Sequence, residues 1–245
     1  MLNFKIFNST KNAMLNKTYS TPMLREDLQE GIETYSKQYS LQTNYKRQYK
    51  LKRGIDVAFS SLALLITSPI LAISAIALKL DSKGPLIFKQ VRIGENGKPF
   101  VIYKLRSMKN NLALQGNGDR AHDSRVTKVG KFIRKHGIDE LPQFWNIIKG
   151  DMSLVGPRPW IPKEVNEMKP EQMLRYGNKP GLAMVCYSYS KAMPKNLQST
   201  LKKNREFTHD ENIEIEQNFY KNWNWKKEPK ALFYFLRDLV IGRHI

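Results

Sequence analysis

The chain has 245 residues, enough for one large domain or two small ones. Its 41 Lys and Arg residues against 22 Asp and Glu residues give a formal net charge of +19, which implies a polyanionic partner: nucleic acid, anionic lipid or a phosphorylated substrate. The single cysteine, Cys186, excludes an intrachain disulfide and a cysteine metal cluster, and this fits a reducing compartment.

Residues 1–45 form a polar N-terminal extension, rich in Asn, Ser, Thr, Tyr and Gln. We expect a poorly ordered or loosely helical lead-in. It has no apolar run that resembles a secretory signal, so the bulk of the protein is expected to stay in the cytoplasm.

An apolar segment follows, and residues 57–78 carry no formal charge. As a helix these 22 residues would be about 33 Å long, which is enough to cross the hydrocarbon core of a bilayer. A buried core helix is the alternative, but such a helix usually carries a polar stripe, and here only Ser and Thr interrupt the apolar surface. We therefore predict a membrane segment at residues 46–80, including its basic N-terminal flank.

Basic residues lie on both sides of this segment, which by the positive-inside rule places both of its ends in the cytoplasm. Near its centre, Pro69 cannot donate to the carbonyl of residue 65, and Ser68 can hydrogen-bond a freed backbone group. The sequence thus favours a re-entrant helix-break-helix hairpin that enters one leaflet. An ordinary kinked span with one translocated end is the competing interpretation.

Three local patterns organise the chain after the membrane segment. Asn96-Gly97 between residues 86–93 and 100–105 predicts a β-hairpin, because both turn residues accept positive φ. Apolar residues at helical spacing from Val126 to Ile133, among lysines and arginines, predict a basic amphipathic helix, either an ordinary surface helix or one that contacts a membrane or phosphates. Residues 112–123 have the composition of a loop.

The C-terminal residues 219–245 are rich in Phe, Tyr and Trp. Trp and Tyr favour the headgroup region of a membrane, so we expect a helix at about residues 231–241 that lies at the interface, with a plain core helix as the alternative.

The chemistry concentrates at Asp139 and Glu140. Asp139 is placed as a helix N-cap, with Pro142 in the first turn and Gly150 at the C-terminal end. A helix N-terminus favours anions, so a substrate phosphate could bind at the same place as the carboxylates. From these residues alone, simple helix capping is the favoured interpretation.

Cations near this pair favour phosphate chemistry. Arg158 lies between two prolines in a stiff loop, and Lys104 and Arg106 end the second hairpin strand. Carboxylate oxygens together with phosphates indicate Mg²⁺ or Mn²⁺ rather than zinc. The four histidines show no ligand spacing and are expected to be structural.

A series of motifs in a fixed order resembles the monotopic phosphoglycosyl transferases, the bacterial sugar transferase family that initiates glycan assembly on polyprenol phosphate. The motifs are KRGID at 52–56, SP at 68–69, KGP at 83–85, QVRIG at 90–94, KLRSM at 104–108, DELPQ at 139–143, GDMSLVGPRP at 150–159 and KPG at 179–181.

This resemblance implies an activity and a set of roles. Asp139 would attack the β-phosphorus of a UDP-sugar, UMP would leave, and undecaprenyl phosphate would attack the resulting phosphosugar-enzyme. Glu140 would hold Mg²⁺, and Lys104, Arg106 and Arg158 would bind substrate phosphates. The family also has a re-entrant helix hairpin broken at Ser-Pro. The implied location is the cytoplasmic face of the bacterial inner membrane, with anionic lipids and glycosyltransferases of the same pathway as further partners.

The resemblance weakens after residue 181. Residues 182–191 differ from the family's usual Asn-Gly-Arg-containing run, which is expected to help bind the nucleotide-sugar, so residues 182–245 are treated as a divergent C-terminal region that leaves the donor sugar open. This difference motivates one alternative, a catalytically silent subunit for assembly or regulation. A nucleic-acid-binding protein is a second alternative, but the apolar segment and the carboxylate pair do not fit it.

The predicted architecture is α+β. A mostly helical catalytic core at residues 81–181, built around a short β-hairpin, is carried on the re-entrant membrane helix.

Overall fold

The computed structural model describes residues 24–40, 43–109, 125–184, 213, 215–216 and 228–240. It is a mixed, helix-rich fold with two small sheets and one long apolar helix, as the α+β prediction requires. Residues 112–123, predicted to form a loop, and the region from 185 to 212 lie outside the described residues.

Helix α1, Glu26–Ser40, packs against the rest of the domain. Leu24, Leu28 and Ile32 lie four residues apart and are all buried. They form one apolar cluster with Ile93 of the hairpin and with buried residues between 165 and 176. Of the two expectations for the lead-in, poorly ordered or loosely helical, the helical one holds for Glu26–Ser40. The helix is docked, because a narrow apolar stripe in a polar sequence is enough to bury one face.

Helix α2, Thr43–Asp81, contains the predicted membrane segment. Residues Tyr49–Asp81 are long and apolar enough to cross a membrane, and only 11% of their most apolar window is buried. A core helix of a soluble domain would be mostly buried, so the exposure favours lipid contact. The most exposed large apolar side chains between residues 62 and 76 are Leu62, Leu65, Ile66, Ile73 and Ile76.

Helix α2 stays helical through Ser68 and Pro69. The structure shows no interruption of the helix at this point, so the predicted break and the re-entrant hairpin stay predictions. Pro69 leaves the carbonyl of Leu65 without its usual amide donor, and the Ser68 hydroxyl donates to that carbonyl at 2.7 Å. The side chain thus replaces the missing backbone bond, which allows the helix to continue.

The predicted β-hairpin is confirmed. Strands β1, Ile87–Ile93, and β2, Pro99–Leu105, are antiparallel, with Val91 opposite Val101. In the connection, Asn96 and Gly97 adopt φ values of 56° and 70°. This is the left-handed conformation that the Asn-Gly pair predicted.

The predicted basic helix is also present, as α3, Lys128–Lys135. Thr127 caps it by accepting a hydrogen bond from the Gly130 amide. Ile133 is buried against Leu78 and Leu105, whereas Phe132 is 59% exposed. The buried apolar face of α3 is therefore narrower than the spacing of apolar residues from Val126 to Ile133 predicted.

Helix α4, Gln143–Lys149, ends at Gly150 in the left-handed conformation, as predicted. The chain then forms a parallel pair that the sequence did not predict, β3, Ser153–Gly156, with β4, Gly181–Met184. The two backbones lie so close that a Cβ on Gly181 would be 2.0 Å from the amide nitrogen of Gly156. Only glycine fits this contact.

A short helix α5, Pro162–Asn166, and a 3₁₀ segment, Pro170–Gly177, lead into β4. The C-terminal helix α6, Glu228–Val240, confirms the helix predicted at 231–241. Ala231 and Phe235 are buried in the main core with Phe144 and Leu154, whereas Phe233 is 63% exposed. One face is thus a core face, and the opposite face remains available for an interface.

Candidate active site

The Asp139–Glu140 pair lies in a single 3₁₀ turn, Ile138–Glu140, directly before α4. Gly137 precedes it in the left-handed conformation, with φ of 61°. Asp139 is therefore not the N-cap of a helix, and that prediction is wrong: Gly137 caps the 3₁₀ turn, and Pro142 occupies the cap position of α4. The turn buries Asp139, which is 8% exposed.

Glu140 and Lys104 form an ion pair, with Nζ 2.5 Å from Oε1. The two side chains come from elements that a buried amide holds together. Asn146, on α4, donates from Nδ2 to the Val101 carbonyl at 2.7 Å and accepts from the Tyr103 amide at 3.1 Å. Both bonds fix β2 against α4, and Lys104 is thereby presented to Glu140. The phosphate-binding role of Lys104 stays a prediction.

Arg106 directly follows β2, two residues after Lys104, and its side chain is buried. Its Nη2 donates to the Ser82 carbonyl at 2.7 Å and to the Ser82 hydroxyl at 3.1 Å, at the end of α2. Its Nε and Nη1 are buried and have no hydrogen-bond partner among the described residues. Buried donors of a cation are normally satisfied, so these two nitrogens are suited to an anionic ligand.

Arg158 belongs to a second group, built around a buried ion pair. The Arg158 amide donates to Oε1 of Glu216 at 3.2 Å, and its carbonyl accepts from Nη2 of Arg175 at 3.1 Å. The guanidinium carbon of Arg158 lies 5.3 Å from the centre of the Trp160 ring. The stiffness predicted for this loop thus comes from side chains as well as from its prolines.

Sequence reasoning missed Arg175 and Glu216. Arg175 lies in an otherwise ordinary polar segment, and Glu216 in the region treated as divergent. Both are almost completely buried, with Nη2 of Arg175 2.9 Å from Oε2 of Glu216. Burial raises the pKa of Glu216, and the charge of Arg175 acts in the opposite direction. Spacing in the sequence carries no signal for such a pair.

The KRGID motif at the start of the membrane segment ties α2 to the domain. Arg53 donates to the carbonyls of Ile147 and Ile148, at 2.6 and 2.9 Å, where α4 ends with unsatisfied acceptors. The buried carboxylate of Asp56 accepts from the Ser153 hydroxyl and from the Leu154 amide. These contacts hold the start of the membrane segment against the end of α4 and the start of β3.

The described residues contain no group of three or more His, Cys, Asp and Glu side chains that could hold a metal on their own. Two adjacent carboxylates do fit Mg²⁺, which is often bound by one or two carboxylates with water and substrate phosphates. The Mg²⁺ or Mn²⁺ assigned to Glu140 therefore stays a prediction. Of the four histidines, only His136 lies within the described residues, where its ring Nδ1 is 3.0 Å from the Phe132 carbonyl.

Comparison with known proteins decides what kind of chain carries this site. The family described as bacterial sugar transferase matches residues 47–240. The chain belongs to this family. The match extends well past residue 181, so the C-terminal region up to α6 is part of the family's domain despite the altered run at 182–191.

Individual relatives in the family support the assignment. A UDP-N-acetylgalactosamine-undecaprenyl-phosphate N-acetylgalactosaminephosphotransferase of Aeromonas hydrophila is 37% identical over 201 residues, which are 78% of this chain and 44% of the relative. A UDP-glucose:undecaprenyl-phosphate glucose-1-phosphate transferase of Klebsiella pneumoniae is 46% identical over 139 residues, 54% of this chain and 29% of the relative. This chain thus spans less than half of either relative.

A third relative, the uncharacterized sugar transferase EpsL of Bacillus subtilis (strain 168), aligns over a larger share of both proteins. It is 34% identical over 195 residues, which are 80% of this chain and 90% of the relative.

Proposed function

We propose that this chain transfers a sugar 1-phosphate from a UDP-sugar to undecaprenyl phosphate and releases UMP, thereby starting the assembly of an exopolysaccharide, capsule, O-antigen or glycoprotein glycan. The observation that carries the proposal is the buried Asp139 beside Glu140, which is paired with Lys104, in a member of the bacterial sugar transferase family. The relatives' names describe the transfer of sugar phosphates to undecaprenyl phosphate.

The reaction proceeds in two displacements at one phosphorus. A carboxylate oxygen of Asp139 forms a bond to the β-phosphorus of the donor, and the bond from that phosphorus to the bridging oxygen breaks, so UMP leaves with the electron pair. A phosphate oxygen of undecaprenyl phosphate then attacks the same phosphorus and displaces Asp139. One phosphoanhydride replaces another, so the transfer needs no ATP.

Charge neutralisation allows a carboxylate to approach a dianionic diphosphate. Lys104 supplies a cation at the turn that carries Glu140, and Arg106 supplies two buried donors without partners among the described residues. Arg158 is the third cation in this proposal. A bound Mg²⁺ or Mn²⁺ would polarise the phosphate oxygens, and Glu140 would hold it.

UMP release tests the proposal. Purified protein in detergent or vesicles, with undecaprenyl phosphate and Mg²⁺, is given a panel of donors that includes UDP-N-acetylgalactosamine and UDP-glucose. We expect UMP from at least one donor, loss of turnover in Asp139→Asn, and loss on addition of EDTA. Asp27→Asn is the matched control, because it removes an exposed carboxylate of α1 that is paired with Arg25 just before the helix.

A null result with every donor would favour the catalytically silent subunit. Retained turnover in Asp139→Asn would refute the assigned nucleophile alone, because the enzyme would still be active. Trapping of a sugar-phosphate adduct on the wild-type protein, in the absence of undecaprenyl phosphate, tests the covalent intermediate separately.

The same proposal includes a re-entrant α2 at the cytoplasmic face of the bacterial inner membrane. Its two ends bind neighbouring elements of one domain: Arg53 binds the end of α4, and Ser82, just after α2, accepts from Arg106 next to β2. A straight helix would separate residues 53 and 82 by about 43 Å, which exceeds the roughly 30 Å hydrocarbon core. Contacts of both ends with one domain support a single membrane face for them.

Accessibility of introduced cysteines tests this topology in Cys186-free protein. We expect labels at residues 30 and 163 to react from the cytoplasmic side alone. Pro69→Ala restores an amide donor for the Leu65 carbonyl and should shift part of the population to a spanning form. Thr67→Ala is the control, since Thr67 bonds the Ala63 carbonyl in an unbroken turn. A periplasmic residue 30 in the parent protein would disprove the hairpin.

The remaining partners follow from charge. Basic flanks on α2 suit anionic lipids, and the product would be the acceptor for glycosyltransferases of the same pathway. Nucleic acid is not among the proposed partners.

A further inference from the structure

The backbone around Arg158 is held by side chains that the reaction itself does not use. The amide of Arg158 donates to Glu216, its carbonyl accepts from Arg175, and the carbonyl of Pro159 accepts from Nη1 of Arg92 at 2.9 Å. Three charged side chains from separate parts of the chain thus converge on two consecutive residues.

The Arg175–Glu216 pair is placed where a purely structural role would be costly. Both side chains are almost fully removed from water, and a buried ion pair often stabilises a fold less than apolar residues of similar size would. Nε and Nη1 of Arg175 have no hydrogen-bond partner among the described residues, so the pair is incompletely satisfied. The pair does provide hydrogen-bond partners for both backbone groups of Arg158: Glu216 accepts from its amide, and Arg175 donates to its carbonyl.

Trp160 extends this arrangement to the side chain of Arg158. The guanidinium carbons of Arg158 and Arg175 each lie 5.3 Å from the centre of the Trp160 ring. Trp160 in turn packs against the apolar cluster that includes Leu28 and Ile32 of α1. The backbone and the side chain of Arg158 are therefore both restrained by contacts with the buried pair and its neighbours.

We propose that Arg175 and Glu216 are positioning residues that hold Arg158 in the geometry required to bind the donor's phosphates, an inference that rests on the proposed function. Neither residue needs to touch substrate. Their effect on turnover passes through Arg158, whose guanidinium loses less conformational freedom on binding when its backbone is already fixed.

A double-mutant cycle tests this dependence. Glu216→Gln alone would leave the charge of Arg175 buried and unpaired and could prevent folding, so the main variant replaces both residues, Arg175→Met with Glu216→Leu. We expect this paired substitution to lower kcat/KM for the UDP-sugar by about 10-fold in the parent protein, and by less than about 2-fold in an Arg158→Ala background. An equal loss in both backgrounds, or no loss in the parent protein, would overturn the inference.

The pair of Lys52 and Glu228 provides a matched control. It joins α2 to α6 at 2.5 Å with little solvent exposure, and its described contacts involve neither Arg158 nor Trp160. Lys52→Met with Glu228→Leu should change kcat/KM by the same factor with and without Arg158. A cycle in which the control couples to Arg158 as strongly as the buried pair would refute a specific positioning role.

Hydrogen exchange followed by mass spectrometry gives a readout that does not require activity. The paired substitution should speed exchange at the amides of Arg158, Trp160 and Ile161 and leave those of residues 144–149 unchanged. Unchanged exchange at these three amides overturns the inference even in an active enzyme. Absence of UMP release from the wild-type protein, by contrast, would refute the proposed function. The exchange result would still decide whether Arg175 and Glu216 fix this loop.

Discussion

At the scale of single residues, the cations of the site are also parts of the fold. Arg106 binds the end of α2, Arg158 is held by Arg175 and Glu216, and Lys104 forms an ion pair with Glu140. A substitution at Arg106 or Arg158 therefore changes packing as well as charge. Lys104 is the position at which charge can be tested with the least structural disturbance.

Lys104→Met should lower kcat/KM for the donor by about 10-fold or more, because Glu140 loses the positive charge of Lys104 and the donor phosphates lose a cation. Lys98→Met is the control, since Lys98 is exposed at the turn of the same hairpin. The measurement is UMP release as a function of donor concentration. Equal activity of the two variants would remove Lys104 from the site.

Tyr103 gives a prediction for alkaline pH. Burial, reinforced by the negative charge of Asp151, raises the pKa of Tyr103 from 10 to about 12. Between these values the unfolded chain has lost a proton that the folded chain still holds, so stability must fall as pH rises from 10 to 12. The loss from this residue amounts to about 3 kcal/mol at most, at 1.36 kcal/mol per pKa unit.

Tyr103→Phe should remove that part of the pH dependence. We expect a shallower decline of the melting temperature above pH 10 than in the wild-type protein, measured in detergent over a pH series. Parallel curves for the two proteins would show that Tyr103 ionises normally in the folded state.

At the scale of elements, α1 connects the N-terminal region to the site. Its buried stripe packs on the cluster that also supports Trp160, and Arg25 just before it donates to the side chain and carbonyl of Asn166 on α5. The helix is therefore part of the domain, and its removal would expose apolar surface beside the Arg158 loop.

Leu28→Ala should destabilise the protein by about 2–5 kcal/mol, the usual cost of truncating a fully buried leucine. Glu30→Ala, an exposed position on the same helix, should have an effect within about 0.5 kcal/mol. Thermal unfolding in detergent provides the comparison. Indistinguishable melting temperatures for the two variants would mean that α1 is not docked in solution.

At the scale of the whole molecule, two forces direct the protein to a membrane. The formal charge of +19 attracts it to anionic lipids, and α2 leaves a long apolar surface uncovered by the domain. The first force is screened by salt and the second is not. Their relative weight can be measured directly.

Washing membranes with about 1 M salt, where the screening length falls to about 3 Å, should leave the protein in the membrane fraction. Detergent should release it, because detergent molecules can cover the apolar surface of α2 in place of lipid. Sedimentation followed by detection of the protein in pellet and supernatant provides the measurement. Release by salt alone would make electrostatic attraction the main anchor and would contradict a helix embedded in lipid.

Local patterns predicted the local structure well. The Asn-Gly turn, the left-handed Gly150, the basic helix and the apolar α2 each depend on residues close together in the chain. The same reasoning failed where contacts from elsewhere compete. Asp139 was expected to cap a helix, yet the chain forms a 3₁₀ turn there. The polar N-terminal region was expected to be poorly ordered or loosely helical, yet α1 is docked on the domain through the buried side chains of Leu28 and Ile32.

The sequence by itself determined the family, the carboxylate pair and the apolar segment, because motif order, neighbouring residues and hydrophobicity are properties of the chain alone. Only the tertiary structure decided which cation faces Glu140 and what fixes Arg158. Lys104 and Glu140 are 36 residues apart, and Arg175 and Glu216 are 41 apart. Pairing across such separations depends on how helices and strands pack, and the packing of buried apolar side chains sets that arrangement.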